Sequence, residues 1–195
     1  MFGKPPEVVP DDLTAKQYHE LGIWYLDENM LEQARVSLRK AMSMAPDTET
    51  AIQAKRLLDA RVPRHEIPQE ALDELRRAEP QVAIKPEDAK RTAEKLIKKY
   101  PDFEWPHRLL ADCHMRAGNI DRCIQSLQSA LSINPDCAPA LLLMARALTI
   151  DMEYDEATRY LQRAQAAMPD NDELRALQRG LDFLIYLDQE DVSLS

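Results

Sequence analysis

At 195 residues the chain is long enough for one medium domain or a short repeat array, and too short for two large independent domains. Hydrophobic residues make up 45% and charged residues 30%, which excludes a disordered chain, and no apolar run approaches bilayer length, so no membrane insertion is expected. The net charge of −9, with −6 carried by residues 105–195, repels phosphate backbones and argues against nucleic acid as the main ligand.

The opening MFGKPPEVVPDDLT has three prolines and no apolar core of signal-peptide length, so it reads as a flexible arm over residues 1–13 of a cytoplasmic chain. Thr14-x-x-Gln17 then supplies a helix start. Over residues 15–48, Leu21, Gly22 and Tyr25 lie on one helix, Ala34, Leu38 and Ala41 on the next, and Pro46 closes the unit. Residues 49–103 are less regular. A helix from about Thr48 to Ala60 is followed by VPRHEIP, a short helix QEALDELRRA, a linker QVAIKP, and a helix EDAKRTAEKLIKKY bearing Ala89, Ala93 and Leu96.

Residues 104–137 restore the order, with Leu110, Ala111 and His114, then Cys123, Leu127, Ala130 and Pro135; residues 138–171 repeat it with Met144, Ala145 and Leu148, then Ala157, Leu161, Ala164 and Pro169. Pro101, Pro135 and Pro169 recur every 34 residues. A fixed period of this length marks stacked helical hairpins. Small residues at matched places let paired helices approach, setting Gly22 against Ala34, Ala111 against Cys123 and Ala145 against Ala157. After an Asp170-x-x-Glu173 start, residues 172–188 form a capping helix striped by Leu174, Leu177, Leu181, Leu184 and Ile185, and residues 189–195 a flexible tail.

These residues resemble the tetratricopeptide repeat family, whose signature is Leu-Gly-x-x-Tyr followed by spaced Ala, aromatic or Leu, Ala and Pro. The resemblance implies an all-α fold: a right-handed superhelix of stacked antiparallel hairpins in a single domain over residues 14–188. It also implies a concave groove, lined by the first helix of each hairpin, that receives a peptide or helix of another protein. Carried over slot by slot, that groove presents Lys16, His19, Ile23, Leu26 and Asp27, then Trp105, Arg108, Asp112, Met115 and Arg116, then Pro139, Leu142, Arg146, Thr149 and Ile150. Some family members clamp the C-terminal carboxylate of heat-shock chaperones with Lys, Asn and Arg. The matching slots here hold His19, Ile23, Arg108, Asp112, Leu142 and Arg146, so the clamp is not present as a set.

The stretch APALLLMARALTI is apolar almost all round, and the surplus of Leu142, Leu143 and Ile150 calls for a cover: a partner segment, a second copy of the chain, or the chain's own N-terminal arm. An interaction scaffold follows as the leading expectation, an adaptor, assembly factor or client-binding chaperone. The alternative is a self-associating structural subunit, with Phe183, Tyr186 and Leu187 widening the apolar face of the capping helix into a homo-oligomer contact.

Catalytic signatures are lacking. There is no GxSxG elbow, HExxH helix, Walker loop or Rossmann fingerprint, so neither an enzyme nor a cofactor is expected. His107, His114 and Cys123 converge on one hairpin but occupy packing slots, and tetrahedral sites show tighter ligand pairs, so no metal is expected there. Cys113, Cys123 and Cys137 form no CxxC pair and read as reduced core thiols. Lys90, Arg91, Lys95, Lys98 and Lys99, interleaved with Glu87, Asp88 and Glu94, read as a solvated helix face held by pairs of opposite charge rather than an anion site.

Overall fold

The computed structural model describes residues 4–168 and 171–193, and side chains as far as Leu187. The chain divides into two compact units, residues 1–66 and 67–195, in place of the single domain expected over 14–188. The division falls inside VPRHEIP, where two prolines interrupt the helical run.

In the first unit, α1 (Ala15–Asp27) and α2 (Leu31–Met44) form a hairpin against which α3 (Glu49–Arg61) packs. Each helix arises from one buried stripe: Tyr18, Leu21, Gly22 and Tyr25 on α1, Leu31, Ala34, Leu38 and Ala41 on α2. The Thr14 side chain accepts from Gln17 N while the Gln17 side chain accepts from Thr14 N, a complete capping box; Thr48 likewise caps α3 through Ala51 N. A Cβ built on Gly22 would lie 2.6 Å from Leu38 Cδ2, so the side chain closest to this glycine is Leu38, one turn beyond the Ala34 expected from the repeat.

The arm is held to this hairpin rather than free. Tyr25 Oη donates to Pro6 O at 2.7 Å, Tyr18 Oη donates to Pro10 O at 2.8 Å, and Lys40 Nζ pairs with Asp11 at 2.8 Å. Two buried phenols need acceptors for their hydroxyls, and a proline-rich extended segment, whose carbonyls no helix uses, offers them. After α3 the buried guanidinium of Arg35 donates to Arg64 O and His65 O, fastening the exit segment.

In the second unit, α4 (Gln69–Ala78) and α6 (Pro86–Lys99) pack together, with the one-turn α5 (Gln81–Ile84) where a plain linker was expected. Buried Val82 draws that segment inward. Then follow α7 (Glu104–Arg116), α8 (Ile120–Ile133), α9 (Ala138–Ile150), α10 (Tyr154–Ala167) and α11 (Asp172–Ser193), each packed on its predecessor. No strand occurs among the described residues. The second helices keep one register: Ala89, Ala93 and Leu96 on α6, Cys123, Leu127 and Ala130 on α8, and Ala157, Leu161 and Ala164 on α10 are all buried.

Three hairpin turns share one closure. Met30 N bonds Tyr25 O, Asn119 N bonds His114 O and Glu153 N bonds Leu148 O, and the residue before each donor has a positive φ: Asn29, Gly118 and Met152. Glycine suits this left-handed position, asparagine tolerates it, and Met152 holds it with steric strain.

Helix α9 packs against α7, α8, α10 and α11, which accounts for its all-round apolarity. Leu142 is only 9% exposed and Leu143 is also buried in the core that α9 shares with these neighbours, so neither requires an outside cover; Ile150 stays exposed. Pro169 and Asp170 lie outside the described residues. The observed cap of α11 is Asn171, whose Oδ1 accepts from Leu174 N at 3.0 Å. The helix itself runs to Ser193, past the end expected at 188 and into the segment read as a tail.

Candidate functional site

Within the first unit the expected groove residues behave unequally. Leu26 is buried and unavailable to a partner, and Asp27 pairs with Arg61 on α3 at 3.2 Å. Lys16 is exposed on α1 beside Glu20, and Ile23 is half-buried. His19 is half-buried, its Nε2 enclosed without a hydrogen-bond partner among the described residues, and burial lowers its pKa.

Within the second unit α7 and α9 are neighbours, so their outward sides share one face. Trp105, Arg108, Asp112 and Met115 are half-buried on α7, with Arg116 exposed at its end; on α9 Pro139 and Thr149 are half-buried and Arg146 and Ile150 are exposed. Leu142, assigned to this face from its slot, belongs instead to the core. The charges on the face are matched. Arg108 pairs with Glu79, Arg116 lies 3.7 Å from Asp112, and Arg146 pairs with Glu173 at 2.9 Å. Paired arginines leave no cluster of unmatched cations to grip a carboxylate, whereas Met115 and Ile150 offer apolar contact beside them.

Among the described residues no group of three His, Cys, Asp or Glu is placed to hold a metal ion. Burial pushes the Cys113 thiol up to about 11 and the Cys123 thiol up to about 12, leaving both protonated and unreactive at neutral pH. On α6, Lys95 and Lys99 pair with Glu74 and Glu70 of α4, and Arg91 with Asp88 of its own helix, so most partners sit on the neighbouring helix rather than one turn away. Tyr100 Oη donates to Glu70, and Phe103 is buried against Trp105 with ring centres 6.0 Å apart, which engages the aromatics that follow.

Two features escaped sequence reasoning. A polar cleft of about 410 Å³ between α4, α5 and α6 is lined by Glu74, Arg77, Gln81, Asp88, Thr92 and Lys95, its charges balanced. The other is Glu104, fully buried at the first turn of α7, whose Oε1 accepts from the buried Asn134 side chain at 2.9 Å. Its only sequence signal is a carboxylate at a helix start, which suits the positive end of the helix dipole in any solvated helix too.

His19, His107 and His114 share one electrostatic direction. Burial lowers all three from 6.5, reinforced at His114 by Lys90 and Arg122. The fold therefore favours neutral imidazoles: their contribution is fully present above the unfolded value and is lost as pH falls below it. Denaturant midpoints should fall between about pH 7 and pH 5, well above the window of the carboxylates. His107→Gln should flatten that dependence in urea titrations; an unchanged slope would exclude His107 as a contributor.

Compared with known proteins, residues 15–48 match one tetratricopeptide repeat model, and residues 85–147 and 124–181 match another. No curated protein matches the chain in sequence. Among solved structures, the TPR2AB-domain:pHSP90-complex of yeast Sti1 is similar at 15% identity and a TM-score of 0.50, over 88% of this chain and 68% of that one. The P58(IPK) TPR domain is similar at 18% identity and a TM-score of 0.55, over 92% of this chain and 48% of that one, so the chain spans about half its length. At these identities the likeness is one of fold.

Proposed function

The chain belongs to the tetratricopeptide repeat family, and from that premise we propose that it is a non-enzymatic interaction scaffold, an adaptor, assembly factor or client-binding chaperone, that holds an apolar or amphipathic segment of another protein. The observation that carries this reading is the shared face of α7 and α9. Ile150 is exposed and Met115 half-exposed there, beside arginines and acids already paired within the chain. Such a surface suits an amphipathic segment whose apolar residues make the contact while its polar residues meet a balanced rim. One structural neighbour is described as a complex with pHSP90. The balanced pairing of Arg108 and Arg146 here favours an internal segment over a terminal carboxylate.

The test places acids on the face at Ile150, which is exposed, and at Met115, whose inner side packs against the core, so Ile150→Glu alone is the arm that leaves the core untouched. Met115→Glu combined with Ile150→Glu should lower the partner signal in crosslinking mass spectrometry by at least about tenfold, with an unchanged far-ultraviolet circular dichroism spectrum. Recovery of the same partners at the same yield would overturn the assignment. Leu142→Glu, which the sequence alone would select, reads stability instead, because Leu142 is in the core.

A further inference from the structure

Helix α11 has two unlike faces. Leu174 and Leu181 are buried against the rest of the unit, with Leu177 and Ile185 packed beside them. On another side Ala176, Gly180, Phe183 and Leu187 recur at spacings of four, three and four residues, all exposed. Phe183 is 60% exposed and Leu187 42%, with Tyr186, 56% exposed, on the flank. Spacing of this kind is the seam of a helix that meets another helix.

Gly180 is the informative residue. Glycine inside a helix is unfavourable, and elsewhere in this chain the cost has a cause, since a Cβ on Gly22 would strike Leu38. A Cβ on Gly180 would meet nothing within 4 Å. No packing among the described residues requires a glycine there, and its place on the exposed seam points to a close approach from outside.

We infer that this face pairs with the same face of a second copy of the chain, antiparallel, about a two-fold axis between residues 181 and 182. The pairing is self-complementary in shape. Phe183 of each copy lies over Gly180 of the other, and Leu187 over Ala176, so each large side chain meets a small one. It is complementary in charge as well. On one flank Arg179 precedes Asp182 and Tyr186, so reversing the second helix brings the Arg179 cation of each copy alongside the Asp182 carboxylate and Tyr186 ring of the other. A parallel pairing would instead set like side chains against like. At 22 residues the helix is about 33 Å long. The exposed parts of Phe183, Tyr186 and Leu187 amount to roughly 300 Å² per copy. With flanking residues, two copies approach the roughly 1,000 Å² at the low end of specific association, which sets a concentration-dependent dimer.

Sedimentation equilibrium of the full chain from about 1 to 200 µM decides it, the span across which a small interface dissociates. The expected result is a monomer that becomes a dimer across that range. Phe183→Asp should raise the dissociation constant by at least about tenfold. Gly180→Leu is the sharper variant: it adds apolar surface and helix propensity at an open position, yet should abolish the dimer by filling the space the second copy's Phe183 occupies. Circular dichroism of both variants should match the parent. A monomer at every concentration would overturn the inference, as would a dimer that survives either substitution.

Discussion

Replacing Glu104 by alanine should lower the unfolding free energy by about 1–3 kcal/mol, the range for leaving a buried hydrogen-bonding group without its partner. Glu104 has no exposed surface, and its Oε1 takes a hydrogen bond of 2.9 Å from Asn134, itself buried at the end of α8. The bond ties the first turn of α7 to the last turn of its hairpin partner. Removing the carboxylate leaves the buried Asn134 amide without this acceptor. Glu104→Gln, which keeps a carbonyl oxygen in nearly the same place, should cost only about 1 kcal/mol. Urea unfolding followed by circular dichroism checks the pair. Equal losses in the two variants would show that an amide oxygen in the same place does not replace the carboxylate, and would overturn the assignment of the effect to the Oε1 hydrogen bond alone.

The contact of Gly22 with Leu38 should behave as a single unit in a double-mutant cycle. Leu38→Ala alone removes a fully buried side chain and should cost about 2–5 kcal/mol. Gly22→Ala alone places a Cβ within 2.6 Å of Leu38 Cδ2 and 2.7 Å of Leu38 Cγ, which forces the leucine to move; a net loss of about 1–2 kcal/mol is expected after the gain in helix propensity. In the double variant the added methyl fills part of the space the leucine vacated. Its loss should therefore be smaller than the sum by about 1–2 kcal/mol. Additive losses within about 0.5 kcal/mol would mean that the two residues do not share that space.

Much of the fold was legible because it is periodic. Leu38, Leu127 and Leu161 recur in the same slot and are all buried, and the all-helical arrangement follows from that repetition. The candidate site was legible only in part. A slot rule assigned Leu26 and Leu142 to the binding face, but whether a slot is open depends on what packs against it. For α9 that includes α7, α8 and α11 as well as its hairpin partner α10. The held arm was illegible for a related reason: a hydroxyl on Tyr18 or Tyr25 does not reveal which carbonyl it will reach.

The sequence by itself determined the helices, their hairpin pairing, their family and the absence of a catalytic motif, because these rest on spacing along one chain. Only the tertiary structure decided which apolar residues are spent internally and which are left over. It moved Leu142 and Leu143 into the core, closed the arm onto α1 and α2, and left Ile150, Phe183 and Tyr186 outside. Burial is a property of neighbours brought together from distant parts of the chain, and local periodicity does not encode how many of them a helix will have.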